Sequence, residues 1–182
     1  MQSFPSFISC QPARDKHQHE QPEINDTTAK KPLSPNTSAM AMIGDAHVHI
    51  DYSSPSVRGR VIWGGLVAYD KIWVSGAHNA TSIETNKDLL INNSVLPAGR
   101  YAFFTIPGKE SWTVIFNKNW DQHGTDEYNE KEDVFRVTVK PEMLPAIQEE
   151  LLYEVKKESD KNGIISLSWE KIKIAVSFAV KE

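Results

Sequence analysis

From Ala46 to Phe178 the chain is divided into short runs in which apolar and polar side chains alternate, and a period of two confines a segment to extended backbone with one buried face. His47-Val48-His49-Ile50-Asp51-Tyr52 is the first such run. Val61-Ile62-Trp63 and Lys71-Ile72-Trp73-Val74 read as brief β-rich runs separated by Gly64-Gly65, and Ala80 to Thr85 continues after a turn. Leu89-Leu90-Ile91 and Val95-Leu96 flank Asn92-Asn93, residues that tolerate positive φ and so predict a tight hairpin. A second hairpin is predicted where Arg100 to Ile106 meets Pro107-Gly108 and Trp112 to Phe116 follows. Asp133 to Val139 sets Phe135, Val137 and Val139 on one side, and Pro141 stops it. Ile147, Leu151 and Val155 fit a helical stripe, while Leu151, Tyr153 and Val155 fit one strand face. The loop formed by Ser159 to Gly163, leading into Ile164 to Trp169, selects a strand over Leu151 to Lys156. Ile172 to Phe178 alternates again. Eight or more strands without βαβ spacing predict an all-β chain, an antiparallel β-sandwich with a jelly-roll-like arrangement.

The N-terminal region has a different character. Five of the ten prolines fall in the first 35 residues, whereas all five tryptophans lie beyond residue 60. From Gln11 to about Ala41 no apolar period is present, so burial there cannot offset an ordering cost of about 1–2 kcal/mol per residue. Ahead of this stretch, Phe4, Phe7 and Ile8 lead into Ser9-Cys10-Gln11, similar to the end of a bacterial lipoprotein signal, in which a small residue precedes a Cys that becomes lipidated. The basic part and most of the apolar part of such a signal are missing. Either translation starts upstream of Met1 or Cys10 is an incidental thiol. The expected organisation is a residual signal-like segment and tether over residues 1–45, with Cys10 as candidate lipidation site, followed by a β-sandwich domain over residues 46–182.

A chain of 182 residues is long enough for one domain with a substantial core. No stretch approaches the roughly 20 apolar residues of a membrane-spanning helix. Twenty Lys and Arg against 24 Asp and Glu give a net charge of -4, which does not fit a binder of nucleic-acid phosphates. One Cys forms neither an intramolecular disulfide nor a Cys-based zinc site. The sequence sets no oligomeric state.

Several unusual blocks occur in order: Tyr52-Ser53-Ser54-Pro55-Ser56-Val57-Arg58-Gly59-Arg60, Ile72 to Thr81, Leu96-Pro97-Ala98-Gly99-Arg100-Tyr101 through Thr105-Ile106-Pro107-Gly108, Trp112-Thr113-Val114-Ile115, and Ser168-Trp169-Glu170-Lys171. Together they resemble domain-of-unknown-function family 2911 over most of the chain after Ala46. One departure is His78-Asn79, which stands where an Asn and an acidic residue are expected after Gly-Ala. The resemblance implies an exported bacterial protein of the Bacteroidetes group, in the periplasm or as an outer-membrane lipoprotein, with a β-rich domain. It brings no activity and no catalytic residues.

The residues themselves offer three constellations. Arg58 and Arg60 flank Gly59 in a turn, and a guanidinium fork suits carboxylate or phosphate; the alternative is that both hold the turn by bonding sheet-edge carboxylates or carbonyls. His47 and His49 share a strand face as metal-binding imidazoles do in amidohydrolases, and His78, Glu84 or His123 are the candidates to complete a site. The chain is shorter than the roughly 250-residue barrels that carry that chemistry, so the plainer reading is a solvated face with Val48 and Ile50 in the core. Trp63, Trp73, Trp112 and Trp169 form either an aromatic sugar platform or core, leaving Trp120 as the exposed ring. No G-x-S-x-G elbow and no phosphate loop is present, and no catalytic residue or cofactor is assigned. The resulting expectation is a binding module holding a small anionic or carbohydrate ligand with Arg58, Arg60, Trp73, His78, Asn79 and Thr81. The alternatives are a metal-dependent hydrolase using His47 and His49, and a structural envelope protein without a small ligand.

Overall fold

The computed structural model describes residues 32–181, and over these the chain is built from strands. In chain order they are β1 (Asn36–Ile43), β2 (Ala46–Ser53), β3 (Ser82–Thr85), β4 (Leu89–Ile91), β5 (Ser94–Leu96), β6 (Gly99–Ile106), β7 (Trp112–Asn117), β8 (Asp133–Val139), β9 (Glu142–Lys157) and β10 (Asn162–Val180). The larger sheet runs β1-β2-β3-β6-β7-β8 and the smaller β5-β4-β10-β9, with every pairing antiparallel. This is the expected sandwich. Within it the larger sheet is a meander, left once between β3 and β6, so the likeness to a jelly roll extends to the two-sheet architecture and not to the strand order.

Period-two patterning decides which side chains meet between the sheets. On β2, Ala46, Val48, Ile50 and Tyr52 are buried, while His47, His49 and Asp51 point to the other face. Tyr153 of β9 reaches across the layer, its ring 4.8 Å from Tyr52 and 5.7 Å from Phe103 of β6. The alternate residues of β6 and β7, Ala102, Phe104 and Ile115, face outward and are covered by Val74 and Ala80 in a second, smaller cluster.

Both predicted hairpins are present. Asn92 and Asn93 have φ of 45° and 68°, and Ile91 pairs with Ser94 across them. β6 and β7 pair from Ala102 with Asn117 to Ile106 with Thr113. Elsewhere the boundaries differ from the sequence reading. The sandwich begins at Asn36, not at residue 46: β1 pairs with β2 along its whole length, and Ile43 is fully buried. Its inward residues before Ile43 are the small Ala39 and Ala41, while Met40 and Met42 are exposed, which hides the alternation in a hydropathy reading. Val61 to Trp63 is a compact turn, closed by Leu66 and Val67 N–H groups donating to the carbonyls of Val61 and Ile62. Lys71 to Val74 contributes one bridge, between Trp73 and Thr105.

β9 covers the whole ambiguous segment and includes Pro145, which is tolerated because β9 is the edge of its sheet. The two runs read separately as Ile164 to Trp169 and Ile172 to Phe178 are one strand, β10. Register shifts flank Glu170, whose φ is 55°. Before this bulge the buried apolar residues are Ile165, Leu167 and Trp169; after it they are Ile174, Val176 and Phe178. The extra residue absorbs the change from odd to even positions and keeps one face apolar throughout.

Candidate functional site

All six predicted ligand residues lie on one connection, residues 54–81 between β2 and β3. A connection of that length without its own strands is unusual in a compact domain and commonly carries function. Its first residues bind it to the smaller sheet: the Val57 N–H donates to the Glu149 carbonyl at 2.8 Å and the Leu151 N–H to the Pro55 carbonyl at 2.9 Å. Arg58 and Gly59, at φ of 51° and 67°, then reverse the chain. The arginines secure this reversal. Arg58 donates from its backbone N–H to the Glu149 carboxylate and from Nη2 to the Leu33 carbonyl. Arg60 donates from Nε to the Val57 carbonyl at 3.2 Å and from Nη2 to the Ser56 carbonyl at 2.6 Å.

The far end of the connection is fixed by Ser75, at φ of 56°. Its carbonyl accepts from Thr81 Oγ1 at 3.1 Å and from the Tyr153 hydroxyl at 2.9 Å, and its Oγ lies 2.9 Å from Thr105 Oγ1. Burial pushes the Tyr153 phenol well above its usual range, so it remains a donor. Gly76 is required here, because a Cβ would come within 2.8 Å of Thr81 Oγ1. Thr81 is fully buried and serves this junction, while His78 and Asn79 are exposed between the fixed points.

Between the two ends the connection closes over a four-tryptophan cluster. Trp73 and Trp169 are near-parallel, 5.8 Å apart at 17°; Trp63 meets Trp73, Trp112 and Trp169 edge-on at 5.8, 4.8 and 5.9 Å. Trp112 and Trp169 are core residues, and the cluster is not an exposed platform. One side of it is nevertheless open: a cavity of about 260 Å³ is walled by Pro55, Leu66, Val67, Trp73 and Trp169, with Arg60 as its one charged group. The Trp73 indole donates to the Gly76 carbonyl at 3.2 Å. The indole N–H groups of Trp63 and Trp169 are buried without a partner among the described residues.

A second concavity, about 250 Å³, lies on the outer face of the larger sheet and takes Asn79 from the predicted set. It is also lined by Arg100, which was not singled out in the sequence. The guanidinium lies 4.1 Å over the Trp120 ring, bonds Ser82 Oγ at 2.9 and 3.1 Å, and pairs with Asp51 at 3.0 Å. Trp120, predicted to be exposed, is therefore half-covered. The register Glu84 with Arg100 and Asp51 with Ser82 brings these side chains to one face, a coincidence of strands that no single segment displays.

The predicted set is thus divided: Arg60 and Trp73 share the tryptophan cavity, Asn79 borders the outer groove, Arg58 and Thr81 hold the connection, and His78 faces solvent. His47 and His49 do share a face, with ring centroids 5.8 Å apart, and His49 Nε2 is 2.9 Å from Asp51 Oδ1. Glu84 is the cross-strand neighbour of His49, but His78 and His123 lie on loops joined by the Asn79–His123 bridge. Among the described residues no group of three or more His, Cys, Asp or Glu is placed to hold one metal ion. Cys10 lies outside the described residues. No curated protein and no solved structure matches the chain. Residues 34–178, a span that begins just ahead of β1 and ends within β10, match the family model described as protein of unknown function DUF2911, and the chain belongs to that family.

Proposed function

We propose that the protein is a binding module whose small ligand, an organic anion or a carbohydrate, occupies the cavity between Arg60, Trp73 and Trp169. The observation that carries this reading is an open cavity walled by Trp73, Leu66, Val67 and Pro55 with Arg60 as its one charged group. The part-exposed Trp73 ring beside a cation held by the Val57 and Ser56 carbonyls gives the recognition. Binding in contact with the cluster alters tryptophan fluorescence and raises the melting temperature. The test is a screen of sugars and small organic acids by both signals. A flat response in both across the whole panel removes the proposal.

The same reading puts the module outside the cytoplasm, held through Cys10. It is supported by the likeness of Phe7-Ile8-Ser9-Cys10 to a lipoprotein signal. Metabolic labelling with a fatty acid, comparing the natural gene with Cys10→Ala, tests it: label must enter the first protein and not the second.

A further inference from the structure

Resting on the assignment of the tryptophan cavity as the ligand site, we infer that its ligand is a carboxylate on a compact apolar body and not a sugar. Three features of the wall lead there. Its charge is one-sided: Arg60 is the ionisable residue lining the cavity, and no carboxylate lines it. The unused polar capacity of Arg60 is donor only. Two Arg60 nitrogens are engaged with the Ser56 and Val57 carbonyls, leaving Nη1 without a protein partner among the described residues. A guanidinium accepts no hydrogen bond, whereas an ionised carboxylate is acceptor-only. A neutral sugar would instead leave the guanidinium without a counter-charge and set hydroxyls against the apolar Leu66, Val67 and Pro55.

The anchoring of Arg60 adds geometric weight. Its two backbone bonds fix the fork before any ligand arrives, so little side-chain freedom is lost on binding. The cavity, about 260 Å³, is smaller than the roughly 300–1,000 Å³ typical of drug-sized ligands, so the body attached to the carboxylate is a single ring or a short branched chain.

The full chain is titrated with benzoate, cyclohexanecarboxylate, the uncharged amides of both, and glucose, following tryptophan fluorescence and calorimetric heat. The expected result is that the carboxylates bind at least tenfold more tightly than their amides and more tightly than glucose. Arg60→Gln brings the carboxylates down to the level of the amides, and Arg60→Lys, which keeps the charge and loses the fork, falls between. The amide comparison needs no variant and stands even if Arg60→Gln weakens folding. Equal affinity for acid and amide, or tighter binding of glucose, overturns the carboxylate assignment while leaving the cavity as a binding site. Absence of binding by all five probes overturns the site itself, and the inference with it.

Discussion

Tyr153 illustrates how one side chain serves both the core and the connection over the cavity. Its ring fills space between the sheets, and its hydroxyl crosses to the carbonyl of Ser75. In Tyr153→Phe the ring remains and the carbonyl keeps the Thr81 hydroxyl, so no acceptor is orphaned. The expected cost is about 0.5–1.5 kcal/mol, read as a lower urea midpoint with an unchanged m-value. A loss above about 3 kcal/mol would mean that the hydroxyl does more than hold Ser75. A second tyrosine gives a pH prediction. Tyr128 donates to Asp133 at 2.9 Å and accepts from Arg136 at 2.8 Å; burial, then the Asp133 carboxylate, push its pKa from 10.0 to about 12. Because the folded value is the higher one, the stabilisation is complete below pH 10 and is lost as pH rises towards 12. Melting temperature should fall across that window, and Tyr128→Phe should flatten the fall. Some slope must remain, since the buried Tyr153 is raised in the same direction.

At the scale of elements, legibility in the sequence followed from whether one segment carries its own signal. Asn92-Asn93 does: both residues adopt left-handed φ, as the dipeptide predicts, and the flanking runs pair around them. Asn93→Val forces a β-branched residue into that region at a cost of about 1–2 kcal/mol, measurable by chemical denaturation. Asn93→Gly should cost nothing by the same measurement. β10 was legible only in halves. Its two alternating runs are explicit in Ile165-Leu167-Trp169 and Ile174-Val176-Phe178, but Glu170-Lys171 between them is as polar as a loop, and only pairing with β9 makes it a bulge. β1 escaped because alanines do on its inner face what larger residues do elsewhere. The cavity was half legible. Arg60 and Trp73 belong to one conspicuous connection, whereas Trp169 arrives from a strand almost a hundred residues later. Arg100 and Asp51 meet only through the register of three strands.

On the scale of the whole molecule, what separates the sequence reading from the structure is where the cooperative unit begins. β1 hydrogen-bonds along all of β2, buries Ile43 in the shared core and packs Ala39 and Ala41 against it. Immediately before it, the Pro35 carbonyl accepts from the Ser54 N–H, and the Leu33 carbonyl accepts from Arg58, tying the same stretch to the start of the connection over the cavity. A chain starting at Ala46 therefore loses an entire strand from the larger sheet, exposes the edge of β2 with its row of unpaired backbone groups, and releases Arg58. A chain starting at Lys31 keeps all of these contacts. The second is expected to melt cooperatively within a few degrees of the full chain, with the same tryptophan emission. The first should show a broad, low-temperature transition, red-shifted emission from water reaching the Trp63–Trp73–Trp112–Trp169 cluster, and concentration-dependent aggregation through the exposed edge. Sharp, matching transitions for both would mean that β1 is an accessory to the sandwich, and that β2 alone suffices to close the core on that side.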